Sequence, residues 1–135
     1  MKPTEFYQSL VASITDADVR RVAQVMAQHV GQHNLITLDG LSRRAFGACN
    51  ASTERKTREI LERLTREHHL PVCSVSGKAG RWLAETDDER FAAARELEAR
   101  AQNILDRAKA LRMASVPAQP MQDRQPVQTN LWGQQ

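Results

Sequence analysis

Between Thr15 and Gly31 the apolar residues Val19, Val22, Ala23, Met26 and Val30 recur at three- and four-residue steps. That spacing predicts a helix with one apolar stripe. Thr15 or Asp16 can cap its start, and Gly31 suits the left-handed position that closes a helix. The preceding segment, Met1 to Ile14, shows no clear period and is expected to be a loosely packed arm. Leu35-Ile36-Thr37-Leu38 is apolar but short, enough for an edge strand. Thr37 then caps a second helix from Leu38 to about Phe46. Gly40 lies inside it at some energetic cost and Gly47 ends it.

Ala48 to Ala51 read as a tight turn. Ser52 or Thr53 caps a third helix running to about His68, whose buried stripe is Thr57, Ile60, Leu61 and Leu64. Pro71 stops it. Val72 to Val75 and Arg81 to Ala84 then flank the glycine-containing turn Ser76-Gly77-Lys78-Ala79-Gly80, a pattern that predicts a β-hairpin. Thr86-Asp87-Asp88-Glu89 is a capping box opening a long helix to about Met113. Beyond it, the Pro- and Gln-rich residues 114–135 have too little apolar content to fold alone and are expected to be disordered. The expected organisation is therefore an arm (1–14), a small mainly α, α+β domain (15–85), a long helix (86–113) and a tail (114–135).

Composition narrows the function. Of 135 residues 41% are hydrophobic, so a small core can form, while only 4% are aromatic, which disfavours a base-stacking platform. No apolar run approaches the ~18 residues of a membrane span, and the N-terminus lacks a secretory core. A soluble, cytoplasmic protein is expected, without membrane association. Cys49 and Cys73 are read as free thiols. Cys73 lies near His68 and His69 in sequence, but the spacing matches no common zinc module, and no metal or other cofactor is expected. No nucleophile–base pair, phosphate loop or paired-carboxylate site is visible, so no catalytic residue is assigned and the chain is read as non-enzymatic.

The formal net charge is +3, and its distribution carries more information than its size. The order helix, short strand, helix, turn, helix, two-stranded hairpin is that of a winged helix-turn-helix, a three-helix domain with a two-stranded wing. Leu41-Ser42-Arg43-Arg44-Ala45-Phe46-Gly47, Ser52 to Arg58 and Ile60 to Leu64 resemble the two helices of that motif. His69-Leu70-Pro71-Val72-Cys73-Ser74 with Gly80-Arg81-Trp82-Leu83-Ala84 resembles a wing. It is similar to the wing of the biotin repressor's DNA-binding domain and to those of small phage- and plasmid-type winged-helix proteins. The resemblance implies duplex DNA as partner and a place at the bacterial nucleoid. Thr53, Arg55, Lys56 and Arg58, at the start of the third helix, would then face the major groove, where Arg and Lys can reach guanine acceptors or phosphates. Lys78 and Arg81 on the wing, and Arg43 and Arg44 on the second helix, would face the DNA backbone.

Two further patterns lie downstream. Ala94, Leu97, Ala101, Ile104, Ala108 and Leu111 step by three and four, a short seam of alternating small and large residues that predicts self-association, most simply a homodimer; the alternative is that the stripe folds back onto the chain's own first helix. Gln128-Thr129-Asn130-Leu131-Trp132 resembles the peptide by which bacterial replication and repair proteins bind the sliding clamp. The resemblance implies Leu131 and Trp132 in an apolar pocket and Gln128 hydrogen-bonded at its rim. Together these features point to a DNA-binding protein of a phage or mobile element acting in replication or its control. A transcriptional repressor using the same domain, and an adaptor whose winged helix binds only protein, are the alternatives.

Overall fold

The computed structural model describes residues 1–75 and 79–117. These form five α-helices and a small three-stranded antiparallel sheet. The contacts divide the chain into two units, Met1–Ala101 and Gln102–Gln135. The packed core belongs to the first. Among the described residues no helix is long and apolar enough to cross a membrane.

The first segment is not a loose arm. Pro3–Ala12 is a helix, α1, opened by a proline where the missing N–H costs nothing. Tyr7 and Val11 on one face of it, and Ile14 just past its end, are buried in the main core. The Tyr7 hydroxyl donates to the carbonyl of Ala84, 77 residues away. α2 spans Ala17–Met26 and is capped by Asp16, whose carboxylate accepts from the N–H groups of Asp18 (3.0 Å) and Val19 (3.1 Å). It ends four residues before Val30, short of the sequence reading. The reason is competition for backbone bonds: Leu83 donates to His29 O (2.8 Å) and accepts from Gly31 N (2.9 Å). Gly31 therefore serves the turn into the sheet and not a helix cap. At its φ of +92° a Cβ would sit 2.5 Å from the His33 ring.

β1 is Ile36–Thr37, and Thr37 caps α3, Leu38–Phe46, by accepting from Gly40 N at 3.0 Å. Gly47 closes α3 in the left-handed conformation. α4 spans Ala51–His68. Its cap is Asn50 and neither Ser52 nor Thr53: Asn50 Oδ1 accepts from Thr53 N (3.0 Å) and Thr53 Oγ1 accepts from Asn50 N (2.9 Å). Asn is among the strongest caps, and Thr at the third helical position completes a reciprocal pair. His69, at φ 58°, ends the helix.

β2 is Val72–Ser74 and β3 is Gly80–Leu83, in sheet order β1-β3-β2. The sheet thus has a third strand beyond the expected hairpin, because Ile36 pairs with Arg81 and Thr37 with Gly80. Its two faces do different work. Ile36, Val72 and Leu83 pack against the helices in the main core. Cys73 and Trp82, directly opposite each other, form a second cluster with Ala84, Val75 and Ala93. Ala93 belongs to α5, Asp87–Met113. Thr86 Oγ1 accepts from Glu89 N as expected (3.2 Å), but the Glu89 carboxylate bonds Glu85 N (3.3 Å) and the Trp82 indole N–H (2.9 Å). Half of the capping box is thereby traded for an anchor on the sheet.

Candidate nucleic-acid interface

The pairing of α3 with α4 is set by a buried polar contact. Thr57 donates to Thr53 O (2.7 Å), so its oxygen is left to accept from the Ser42 hydroxyl at 3.1 Å. Both side chains are fully buried. With Thr57, Ile60, Leu61 and Leu64 turned into the core, α4 presents Arg55, Arg58, Glu59, Glu62 and Arg66 to solvent.

A groove of about 440 Å³ runs between this face of α4 and the β2–β3 hairpin, closed at one side by α5. Its floor is Leu61, Val72 and Leu97, and its polar walls are Arg58, Glu62, Arg66, Ser74 and Arg81. Arg81 differs from the others. It is half-buried, it donates to the backbone carbonyls of Gly80 (3.2 Å) and Ala79 (3.5 Å), and it has no carboxylate partner among the described residues. Burial first, then the like charges of Arg58 and Arg100, push its pKa below the usual guanidinium value. A guanidinium stays protonated in a protein, so the groove holds a cation that an entering anion would relieve.

The structure distributes the other candidate residues unevenly. Arg55 is exposed and without an ion-pair partner among the described residues. Arg58 pairs loosely with Glu54 at 3.4 Å. Surface pairs of this kind are worth about 0–1 kcal/mol, so a phosphate can displace the carboxylate. Lys56 does not sit on the groove side. It reaches α2, where its Nζ lies 2.6 Å from Asp18 and 4.9 Å from the centre of the Phe46 ring. The Thr53 hydroxyl takes part in the helix cap, accepting from Asn50 N at 2.9 Å. Arg43 is held by Asp39 at 2.8 Å. Arg44 donates to Gln28 Oε1 (2.5 Å) and to His29 Nε2 (2.9 Å). Lys78 lies outside the described residues, as do Gln128, Leu131 and Trp132. Ala94, Leu97, Ala101, Ile104 and Leu111 on α5 are exposed and Ala108 is half-buried.

Sequence reasoning missed Arg66 and Ser74 as walls of the groove. Arg58, Glu62 and Arg66 at four-residue steps were a legible signal for one face of α4, whereas Ser74 enters only through its pairing with Arg81. The two thiols are poor nucleophiles. Hydrogen bonding to Asp39 and then Glu54 pushes Cys49 up to about 12, and burial pushes Cys73 up to about 11. Among the described residues no three His, Cys, Asp or Glu side chains group as metal ligands. The chain matches no protein-family model, no curated protein and no solved structure.

Proposed function

We propose that this chain is a non-enzymatic winged-helix protein that binds duplex DNA with α4 and the β2–β3 hairpin. The observation that carries the reading is the groove between them, where Arg81 sits half-buried without an acidic partner among the described residues and Arg58 and Arg66 stand on the opposite wall. Arg55, one turn nearer the start of α4, extends the positive surface toward the helix end that enters a major groove in helix-turn-helix proteins. Helix α4 is not uniformly basic, because Glu54, Glu59 and Glu62 alternate with its arginines. That alternation favours a narrow track of phosphate contacts over a broad cationic face. The setting proposed is replication or its control in a phage or other mobile element, with the tail motif Gln128 to Trp132 docking on a bacterial sliding clamp. A repressor would use the same DNA surface without that tail peptide.

The test is fluorescence anisotropy on a duplex across salt concentrations. Wild type binds at about 50 mM salt and weakens as salt rises, because each phosphate contact releases a counterion. Arg81→Gln and Arg55→Gln each reduce the log–log salt slope by ~0.9. Lys56→Gln, directed at Asp18, leaves the slope unchanged. Absence of binding to any duplex at low salt overturns the reading.

A further inference from the structure

Helix α5 carries more apolar surface than the other described residues cover. Leu97 and Ile104 are 56% exposed, Leu105 is 61% and Leu111 is 76%. Leu97, Ile104 and Leu111 fall seven residues apart, with Ala101 and Ala108 between them, so one edge of the helix alternates small and large. Glu98 and Arg112 flank this edge on the Leu105 side, and neither has an ion-pair partner among the described residues. On the opposite side stand Arg100 and Arg107.

We propose that this edge is the interface with a second copy of the chain, and that the two α5 helices pair antiparallel. A parallel pair sets each residue against itself. Alanine would meet alanine and leucine would meet leucine, leaving alternate layers hollow and crowded, and Arg107 would lie beside the partner's Arg112. An antiparallel pair sets each alanine against a leucine or isoleucine, so every layer has similar volume. Three registers achieve this, and charge decides among them. One opposes Glu98 to itself and Arg100 to itself. A second opposes Arg100 to the partner's Arg107. The third seats Ala101 on the partner's Leu111, Ile104 on the partner's Ala108 and Leu105 on its own copy, and brings Glu98 to the partner's Arg112 at both ends. Its one unfavourable pair, Arg107 with its own copy, involves long side chains that can splay into water. The third register is the one assigned.

Five small or medium side chains per copy cover much less than the ~800 Å² per partner of a standard stable interface. The pair is therefore weak in free solution and strengthens where two copies are held close together, since tethering raises effective concentration.

Sedimentation equilibrium of the full chain, without nucleic acid, tests it over a wide concentration range. A monomer–dimer equilibrium is expected, with dimer prominent only in the upper range. Ile104→Asp abolishes it while leaving the circular dichroism unchanged, because the residue is exposed in the monomer. Glu98→Arg or Arg112→Glu alone weakens pairing at least fivefold, and the two together restore it. In a Cys49→Ser background, Leu105→Cys forms an intermolecular disulfide and Leu111→Cys does not. Rapid cross-linking through Leu111→Cys but not Leu105→Cys overturns the proposal in favour of a parallel pair, and a monomer throughout the range overturns it outright.

Discussion

Tyr7 is the residue that ties the first helix to the rest of the core, and Tyr7→Phe isolates that tie. The substitution keeps the ring, which is buried beside Val11 and Ile14, and removes only the hydroxyl that donates to Ala84 O. Losing a buried hydrogen bond costs roughly 1–1.5 kcal/mol, rising toward about 3 if the abandoned carbonyl finds no water. Ala84 is itself buried, so a loss of about 1.5–2 kcal/mol is expected. For a packed unit of this size that lowers Tm by roughly 6–12 °C. The assay is urea unfolding followed by Trp82 emission in a Trp132→Phe background, since the buried Trp82 indole reports the sheet to which Ala84 is joined. The effect depends on pH with a defined sign. Burial, then the neighbouring Cys73, raises the Tyr7 pKa above its ordinary 10.0. Folded protein thus keeps the hydroxyl protonated where unfolded chain ionises. That contribution is complete below pH ~10 and lost as pH rises beyond it, so wild type and Tyr7→Phe converge in strong alkali. Cys73, raised from 9.0 to about 11, lowers both curves equally above pH 9. A Tyr7→Phe protein within about 0.3 kcal/mol of wild type at pH 7, or a gap that widens in alkali, refutes the reasoning.

Thr57→Val, a near-isosteric change, leaves the buried Ser42 hydroxyl without its acceptor and should cost about 1–2 kcal/mol by urea melts with an unchanged m-value. Ser42→Ala should cost less, since Thr57 keeps its bond to Thr53 O. For the tail, a peptide covering Pro126 to Gln135 should bind a bacterial sliding clamp with micromolar affinity in isothermal calorimetry, and Leu131→Ala with Trp132→Ala should abolish it. Heat absent even at several hundred micromolar peptide would remove the clamp from the proposed role.

Features that depend on groups three or four residues apart were legible in the sequence. Thr37 and Gly47 bound α3 because a cap and a left-handed closure are local hydrogen-bond chemistry, and the α4 stripe follows from helical period alone. The alternation around β2 and β3 likewise marked the hairpin. Where several neighbours could serve one local role, sequence could not choose: Asn50, Ser52 and Thr53 all suit a cap, and in the fold Asn50 caps α4 while Thr53, at the third helical position, returns the bond and donates to Ala48 O. Other features rest on contacts between residues far apart in the chain. Tyr7, Val11 and Ile14 carry a helical spacing too short to stand out, and they became core because Ala84 and α2 cover them. By local rules Gly31 suits a helix end, but it lies beyond α2, in a turn shaped by backbone bonds to Leu83 that no local pattern encodes. Charge behaved in the same way. Lys56 and Arg58 are two residues apart on one helix, yet one meets Asp18 and the other faces Arg81. A side chain's electrostatic environment is set by whatever the fold brings within a few ångströms of it, and for Arg81 that is another strand, another helix and no carboxylate among the described residues.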